Sequence, residues 1–590
     1  MKKVRTTTRI IYKNSAEYEF KRPPLFTDRT SIVKWCVIVL FAGLFARLIY
    51  IQCFLHTKIS PIVDRMVERE RVETSKRGGI FDTKNKPLAL SVKRHNIFLD
   101  AKEIKDFDEV KKALSKNGIK IKETKLSQLK GKRYVPLNQE VTNIEQIRNE
   151  NLKGVGDEFR YVRKYPEGRL LAQTIGITSV SGSGIGGIEK SFDRYLRGKV
   201  VKVKAYKKAV GISIPEEFIN KTKLRASDVI LHVDKRMQFI VEEELREAFI
   251  KNGARKAMCV VQNPKTGAIL AIASFPDFDF LDKKKQIENL KNPIISDYYE
   301  PGSTFKIIAA AAALEEKKVG LDDMFYLENG RYKIGNSAIK DDHKFKGSMN
   351  VAKIIEQSSN IGIAKVAQKL GKEKLYEYIR KFGFYSFTDI DLPGEIRGNL
   401  PEVSSWDNLS LANIAFGQGV GVTALQLINA FCVIANDGVL MKPSIIKSIE
   451  NPYDKSGNKT FEPKEVRRVI SAETAKTMRT FLKNAVEFGT GRSAKTSGWT
   501  AGGKTGTAQK FDVKEKKYSD KYYVASFCGM LPALEPKIVI LVIIDEPKGN
   551  YYATSAASPV FSKIAERLSM YLEIPRDITE NENDGKNEIA

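Results

Sequence analysis

The sequence predicts an α+β protein with a single N-terminal transmembrane helix, a mixed β-rich pedestal domain and a C-terminal domain. Three observations indicate this: an apolar run near the N-terminus, short alternating strands with glycine turns after it, and apolar strands on both sides of a helical stretch in the C-terminal half. These strands favour an antiparallel sheet flanked by helices, with an inserted helical lobe. The predicted segments are a cytoplasmic tail (1–34), a transmembrane anchor (35–55), the pedestal domain (56–235), the C-terminal domain (236–573) and a disordered tail (574–590).

The first predicted element is a membrane anchor. Residues 1–34 hold nine Lys/Arg and three acidic residues, and the run from Trp35 to Leu55 is long enough to span a bilayer. No small-x-small cleavage site follows this run, which favours an uncleaved anchor over a signal peptide or a buried soluble helix. The basic tail stays in the cytoplasm, so the rest of the chain is expected outside it.

The middle of the chain predicts a non-catalytic domain. Residues 56–76 show an amphipathic, helix-like pattern. Residues 77 to about 235 alternate short strands, turns and lysine-rich helices, with a charged helical insertion at 101–153. Arg77-Gly78-Gly79-Ile80-Phe81-Asp82 predicts a tight turn that leads into a strand. This part of the sequence contains neither paired carboxylates nor a phosphate-binding glycine loop. We therefore expect a pedestal or docking domain.

Charge and cysteine content exclude several classes of protein. The formal net charge of +28 fits attraction to an anionic membrane surface or polymer. A nucleic acid partner is not expected, because the basic residues are spread along the chain and no nucleic-acid-binding signature occurs. Five scattered cysteines and four histidines without metal-ligand spacing predict neither a disulfide framework nor a metal site.

The strongest candidate for chemistry is Ser303, in Glu300-Pro301-Gly302-Ser303-Thr304-Phe305-Lys306. An alanine-rich run follows, so a helix is predicted to begin here, with Ser303 and Lys306 on one face of its first turn. A neutral lysine can take the proton of a serine hydroxyl, and a helix N-terminus favours negative charge on a reacting carbonyl. Ser-x-x-Lys also occurs elsewhere in this lysine-rich chain, at Ser31, Ser127, Ser337 and Ser444.

Two further elements supply the context that Ser303 needs. Ser358-Ser359-Asn360 follows a helical stretch, and Lys504-Thr505-Gly506-Thr507 opens a strand among glycines and small residues. Each has chance copies, such as Lys265-Thr266-Gly267, which is most simply a hairpin turn. The order Ser-x-x-Lys, Ser-x-Asn, Lys-Thr-Gly, spaced 55 and then 146 residues apart, is specific although each part alone is weak.

On these motifs, residues 31–572 resemble a class B penicillin-binding protein, a peptidoglycan DD-transpeptidase. Arg77-Gly78-x-Ile80-x-Asp82 resembles the motif that opens the family's pedestal. By the same resemblance, the C-terminal domain with the three catalytic motifs is expected to be the penicillin-binding transpeptidase domain. Ser358-Ser359-Asn360 and Asp342-His343 resemble the division-specific FtsI type, whereas the elongation type usually carries Ser-x-Asp. Asp342 and His343 are expected to shape a loop. One departure is Tyr551-Tyr552-Ala553-Thr554, where the family often carries paired glycines.

The resemblance implies catalytic roles for Ser303, Lys306, Ser358, Asn360 and Lys504, and substrate or oxyanion binding by Thr505, Gly506 and Thr507. Ser303 attacks the penultimate D-Ala carbonyl, and Lys306, kept neutral by the charge of Lys504, accepts its proton. Ser358 helps to protonate the leaving D-Ala, while Asn360 holds the substrate amide and can hydrogen-bond Lys306. The oxyanion sits between the backbone N–H groups of Ser303 and Thr507. The resemblance implies no metal and no organic cofactor.

The predicted function is cross-linking of stem peptides that end in D-Ala-D-Ala, at the division septum, with β-lactams acylating Ser303. An elongation-type transpeptidase, a DD-carboxypeptidase, a β-lactamase, a β-lactam sensor and a catalytically inactive division protein stay open as alternatives. The resemblance implies an FtsW-like membrane glycosyltransferase and other division proteins as partners. It places the protein in the bacterial inner (cytoplasmic) membrane, with the catalytic domain on the periplasmic side. The polar end, 574–590, is expected to be a disordered tail.

Overall fold

The computed structural model of the chain describes residues 25–56, 58, 68–74, 76–121, 132–141, 144–198, 200–207, 212–213, 226–280, 287–452, 455–512 and 515–578. The chain divides into two compact units, of which the first comprises residues 1–72 and 202–218 and the second comprises the rest. The predicted cytoplasmic tail and the predicted disordered C-terminal tail therefore lie largely outside the described residues.

The first unit contains the apolar N-terminal helix. An α-helix over Leu25–Ile49 continues as a π-helical turn over Tyr50–Phe54. The apolar helix predicted over Trp35–Leu55 is confirmed, and it begins ten residues earlier than predicted. Its apolar side chains are exposed and the helix is long enough to cross a membrane, which fits a membrane anchor. A small sheet is formed by Glu68–Thr74, Val200–Lys207 and Ile212–Ser213.

In the second unit, the pedestal is built around the long strand Pro87–Leu99. This strand pairs with Ile80–Phe81, Val135–Val141 and Val155–Lys164. The insertion predicted to be helical at 101–153 is only partly so, because a strand lies between its two helices and packs apolar side chains into a small core. The pedestal helices are Phe107–Lys116, Ile144–Asn149, Ala172–Ile175, Gly187–Ser191 and Asp193–Leu196.

A buried ion cluster holds the start of the pedestal. Arg77 pairs with Glu189 at 2.6 Å and with Asp193 at 2.6 Å, and Arg163 reaches the other oxygen of Glu189 at 2.6 Å. The carboxylate of Asp82 accepts the backbone N–H of Lys86 at 2.6 Å and so closes the turn. Arg77 and Asp82, which belong to the motif that opens the pedestal, therefore stabilise the fold. Side-chain charges that are buried this deeply are stable only when partner groups compensate them.

The pedestal and the C-terminal domain share a sheet. Asp228–Leu231 lies parallel to Ile80–Phe81 on one side and antiparallel to Ile446–Glu450 on the other. Main-chain hydrogen bonds thus cross the boundary predicted near residue 235. This continuity explains why most of the pedestal belongs to the same compact unit as the C-terminal domain.

The predicted antiparallel sheet of the C-terminal domain is confirmed. Its five strands all pair antiparallel, in the order Ile269–Phe275, Lys256–Gln262, Ile538–Asp545, Lys517–Leu531 and Gly502–Asp512. Both faces are buried: Val260 and Leu541 face the helical lobe, whereas Val261 and Ile540 face the terminal helices. Those terminal helices are Lys235–Lys251 and Ser558–Tyr571.

The inserted helical lobe is confirmed as well. Its α-helices are Pro293–Ser296, Lys306–Glu315, Val351–Gln357, Asn360–Leu370, Lys372–Lys381, Asn408–Ala415, Ala424–Ala435 and Ala472–Glu487, and a short helix, Ala553–Ala556, follows the sheet. Minor strands accompany them at Phe325–Tyr326, Arg331–Ile334, Ser337–Lys340, Ser348–Met349, Val439–Met441, Lys459–Thr460 and Glu465–Arg468. Most of these helices bury apolar side chains in the core that faces the sheet.

The chain remains ordered beyond the point at which a disordered tail was predicted. The indole N–H of Trp499 donates to the carbonyl of Ile574 at 2.9 Å, and the backbone N–H of Thr500 donates to Asp577 at 2.6 Å. The prediction that disorder begins at 574 is therefore wrong, because Ile574 is itself buried in the core. Residues 579–590 lie outside the described residues.

Candidate active site

The predicted nucleophile lies on a tight turn just before a helix. Gly302–Phe305 forms a 3₁₀ turn, and the α-helix begins only at Lys306, so Ser303 precedes the helix that was predicted to contain it. Gly302 has a φ of +55°, and a Cβ at this position would lie 3.1 Å from the Cβ of Ala508. Only glycine combines this backbone conformation with such close packing. The half-buried Ser303 is thereby held against the strand that carries Lys504.

Lys306 is fully buried directly after the nucleophile. Its amine donates to the carbonyl oxygen of Ser358 at 2.5 Å and lies 3.2 Å from the hydroxyl of Ser358. Burial lowers the pKa of Lys306 to about 8, although the carboxylates of Asp342 and Asp341 oppose this shift. A substantial neutral fraction near physiological pH suits this amine to act as a base.

Ser358 faces Lys306 because its backbone is left-handed. The residue ends the helix Val351–Gln357 with φ +60° and ψ +37°. A non-glycine residue in this conformation costs free energy and is held there by its surroundings, which occurs frequently at functional sites. The turn directs both oxygens of Ser358 at the amine of Lys306. The predicted proximity of the first two motifs is therefore present in the structure.

A carboxylate that the sequence analysis did not select organises the second motif. Asp341 accepts hydrogen bonds from the hydroxyl of Ser359 at 2.8 Å and from the backbone N–H groups of Asn360 and Ile361 at 2.5 and 3.0 Å. It thereby caps the helix that begins at Asn360. Asp341 and its partners are about twenty residues apart in the sequence, and no local sequence pattern predicts their contact. The neighbouring Asp342 was predicted to shape a loop.

Asn360 is bonded differently from the prediction. Its side-chain amide donates to the carbonyl of Lys340 at 2.9 Å. Among the described residues, Lys306 is bonded to Ser358 and not to Asn360. The Asn360 side chain is half-buried, and the bond to Lys340 uses one of its two amide N–H donors, so its carbonyl oxygen can still accept a substrate N–H.

The third motif brings a second buried lysine into the site. Lys504 is fully buried, and its amine lies 3.4 Å from the hydroxyl of Thr505. Burial first, and then the charge of Lys306, hold the pKa of Lys504 well below its ordinary value, against the attraction of Asp342. The prediction assigned the low pKa of Lys306 to the charge of Lys504; in the structure, burial is its principal cause. The buried amines of Lys306 and Lys504 are not readily protonated at the same time, because two positive charges this close together repel each other.

The strand of the third motif packs directly on the nucleophile's turn. A Cβ at Gly506 would lie 2.8 Å from the carbonyl oxygen of Pro301, so only glycine allows this approach. The hydroxyl of Thr505 contacts that of Thr490 at 3.0 Å, and the hydroxyl of Thr507 accepts the backbone N–H of Ala553 at 3.1 Å. The structure thus brings the three predicted motifs together.

Glu300 supports the turn from the opposite side. Its carboxylate accepts the backbone N–H of Gly419 at 3.0 Å and the phenol O–H of Tyr518 at 3.2 Å, and burial raises the pKa of this group. The backbone N–H of Gly302 donates to the carbonyl of Gly417 at 3.1 Å. The nucleophile is therefore held by main-chain and side-chain bonds on both sides of Pro301. The sequence analysis named Glu300 only as part of the motif.

Two families of known proteins match the chain. Residues 257–566 match the penicillin binding protein transpeptidase domain, and residues 72–231 match the penicillin-binding protein dimerisation domain. These ranges correspond to the C-terminal sheet domain with its cleft and to the pedestal.

Individual proteins match over most of their length. The chain is 34% identical to stage V sporulation protein D of Bacillus subtilis, over 89% of this chain and 83% of that protein. It is 32% identical to the peptidoglycan D,D-transpeptidase FtsI of Buchnera aphidicola, over 91% of this chain and 93% of that protein. Its fold is similar to that of penicillin binding protein 3 from Mycobacterium tuberculosis, solved in complex with aztreonam, with a TM-score of 0.67, 28% identity and coverage of 86% and 98% of the two chains.

Proposed function

Because the chain belongs to the penicillin-binding proteins that carry a dimerisation domain and a transpeptidase domain, we propose that it cross-links peptidoglycan at the division septum. It is a serine peptidoglycan D,D-transpeptidase of the FtsI-like class B type, which acts on stem peptides and binds β-lactams. The septal role is supported by Ser358-Ser359-Asn360 and by the similarity to FtsI. An elongation role is the alternative.

The observation that carries the mechanism is the buried amine of Lys306. With a pKa of about 8 this amine is partly neutral, and it accepts the proton of Ser303 as the serine oxygen attacks the penultimate D-Ala carbonyl. The bond from serine oxygen to carbonyl carbon forms, and the carbonyl π electrons move to its oxygen. The Lys306 ammonium then stands 3.2 Å from the hydroxyl of Ser358, which relays the proton to the D-Ala nitrogen. The oxyanion re-forms the carbonyl, the C–N bond breaks and D-Ala leaves.

Lys504 and Thr505 bind the terminal carboxylate of the donor peptide. A carboxylate close to Lys504 stabilises the protonated amine and raises its pKa, so that Lys504 takes up a proton when substrate binds. The new positive charge then disfavours protonation of Lys306 and keeps that amine available as the base. In this sequence of events Lys504 has the role predicted for it, but only in the substrate complex.

The oxyanion is placed between the backbone N–H groups of Ser303 and Thr507. These two backbone segments lie close together, since a Cβ on Gly302 would lie 3.1 Å from the Cβ of Ala508 and 3.4 Å from the carbonyl oxygen of Thr507. Backbone donors fixed in this way stabilise the tetrahedral intermediate without reorganisation. The acyl-enzyme is released when the amine of a neighbouring stem peptide attacks the ester carbonyl and the serine oxygen takes back a proton.

The N-terminal helix is proposed to anchor the protein in the bacterial inner membrane, with residues 1–34 in the cytoplasm and the catalytic domain on the periplasmic side. Exposed apolar side chains along Arg29–Phe54 support this topology, as does the basic flank. The pedestal lacks a recognisable glycan-polymerising motif, so a partner must supply glycan strands. We assign that role to an FtsW-like membrane glycosyltransferase that contacts the helix and the pedestal.

Two experiments test the proposal. Purified protein is incubated with a pentapeptide ending in D-Ala-D-Ala, with and without an acceptor amine, and the products are followed by mass spectrometry. Cross-linked product is expected; release of D-Ala with water as the only acceptor would instead identify a carboxypeptidase. In cells, depletion is expected to produce filaments and a fluorescent fusion to collect at division sites. Rounded cells with dispersed label would favour the elongation role.

A further inference from the structure

A small hairpin precedes the second catalytic motif in the sequence and contacts it in the structure. Arg331–Ile334 and Ser337–Lys340 pair antiparallel, with Arg331 opposite Lys340, Tyr332 opposite Ile339 and Lys333 opposite Ala338. Since side chains alternate between the faces of a strand, Tyr332 and Ile339 share one face, while the three basic residues share the other. The phenol of Tyr332 donates to the side chain of Gln368 at 3.1 Å, so the first face packs on the helix Asn360–Leu370.

The opposite face is cationic and exposed. Arg331, Lys333 and Lys340 are all exposed, and none of them forms an ion pair or side-chain hydrogen bond with another residue that the structure describes. Arg331 and Lys340 stand directly opposite each other, an arrangement that destabilises a hairpin when no anion is bound. Among the described residues the adjacent Asp341 forms no ion pair with them, and its carboxylate accepts hydrogen bonds at the N-terminus of the next helix.

This cationic face is joined to the catalytic motifs. The carbonyl of Lys340 accepts the side-chain amide of Asn360 at 2.9 Å, so the last residue of the hairpin contacts the second motif. Ser358, two residues before Asn360 in the sequence, accepts a hydrogen bond from the amine of Lys306. A ligand chain that fills the cleft beside Asn360 therefore passes within reach of the long side chains of the hairpin.

We propose that Arg331, Lys333 and Lys340 bind carboxylates of the peptidoglycan stem peptide on the amino-terminal side of its D-Ala-D-Ala end. The inference rests on the proposed function, since it concerns the substrate that occupies the cleft. The ligand is an acidic peptide because the face offers a guanidinium and two ammonium groups and no acceptor on the same face. The contact with Asn360 favours the peptide in the cleft over an anionic lipid surface or wall polymer.

The test compares the variant R331Q/K333Q with the matched control K111Q/K112Q, which removes two exposed positive charges from the pedestal helix Phe107–Lys116. Two D-Ala-D-Ala pentapeptides are used that differ only in glutamate or glutamine at the second position. Each is measured as a competitor of Ser303 labelling by a fluorescent penicillin, with the full chain in detergent. Labelling without peptide reports whether the catalytic site itself is active.

The wild type and the control are expected to bind the glutamate peptide about five- to tenfold more tightly than R331Q/K333Q at low salt. For the glutamine peptide the difference should shrink to about twofold or less, and the advantage of the glutamate peptide should fall as salt rises. The proposal would be overturned if R331Q/K333Q weakened the binding of both peptides equally or of neither. It would also be overturned if this variant lost binding to anionic phospholipid vesicles but kept its binding of the peptides. Absence of labelling in the wild type would instead refute the proposed function.

Discussion

The side-chain amine of Lys306 lies 2.5 Å from the main-chain carbonyl oxygen of Ser358 and 3.2 Å from its hydroxyl. The first contact places the buried amine beside a fixed dipole, and the second gives it a proton relay. Both depend on the left-handed backbone of Ser358, which turns the end of one helix towards the start of another. The proposed base and its proposed relay are thus positioned by the fold before substrate binds.

The rate of acylation should follow the ionisation of Lys306. Because burial lowers the pKa of this amine to about 8, the amine is mostly protonated below that pH and mostly neutral above it. The second-order rate of penicillin labelling should therefore rise about tenfold per pH unit below the pKa and level off above it. Lys306→Arg should lower the rate by about a thousandfold, since a guanidinium stays protonated. A profile that is flat around pH 8 would exclude Lys306 as the base.

Substitutions at Ser358 should separate backbone strain from chemistry. Both Ser358→Ala and Ser358→Gly remove the hydroxyl next to Lys306, but only glycine adopts a φ of +60° without strain. The glycine variant should be about 1 kcal/mol more stable than the alanine variant in chemical denaturation. Both should lose turnover of a D-Ala-D-Ala peptide to a similar extent. If alanine proved the more stable, the left-handed conformation would not be a source of strain.

Asp341 should act on the site through position. Asp341→Ala removes the bonds to Ser359, Asn360 and Ile361, so penicillin acylation should fall about tenfold or more and stability by about 1–3 kcal/mol. The matched control is Asp407→Ala, which removes a helix cap at Ser410 away from the motifs and should cost about 1 kcal/mol. Equal acylation by the two variants would show that Asp341 is merely a helix cap.

Gly506 should tolerate no side chain. A Cβ at this position would lie 2.7 Å from the Ser526 hydroxyl and 2.8 Å from the carbonyl of Pro301, so Gly506→Ala must displace the strand from the nucleophile's turn. Acylation should fall about a hundredfold, a loss typical of misplaced catalytic groups. The control is Gly457→Ala, where no atom lies within 4 Å of the added methyl group. Normal labelling of the Gly506 variant would contradict the described packing.

The features that follow local rules could be predicted from the sequence. Apolar runs located the N-terminal apolar helix and the sheet strands, because burial imposes a periodic pattern. The three motifs located Ser303, Ser358 and Lys504, because this chemistry restricts the residue types and their order. The strand that Lys504-Thr505-Gly506-Thr507 was predicted to open is present as Gly502–Asp512.

The remaining features depend on long-range contacts that leave no local pattern. Asp341 reaches partners that follow the helix Val351–Gln357, about twenty residues further along the chain. The sheet shared by the pedestal and the C-terminal domain pairs residues more than two hundred positions apart. The cause of the low pKa of Lys306 also needed the structure, since burial depends on every surrounding element. The start of the tail was misplaced because Ile574 is one of few apolar residues in a polar stretch.

The central claim is that Ser303 is the acylated nucleophile of a serine transpeptidase. The most direct test is the intact mass of the full chain in detergent, with and without benzylpenicillin, beside the variant Ser303→Ala. The account predicts a stable increase in mass by one benzylpenicillin on the wild type and no increase on the variant. An adduct that persists on Ser303→Ala, or a wild type that remains unmodified, would contradict it.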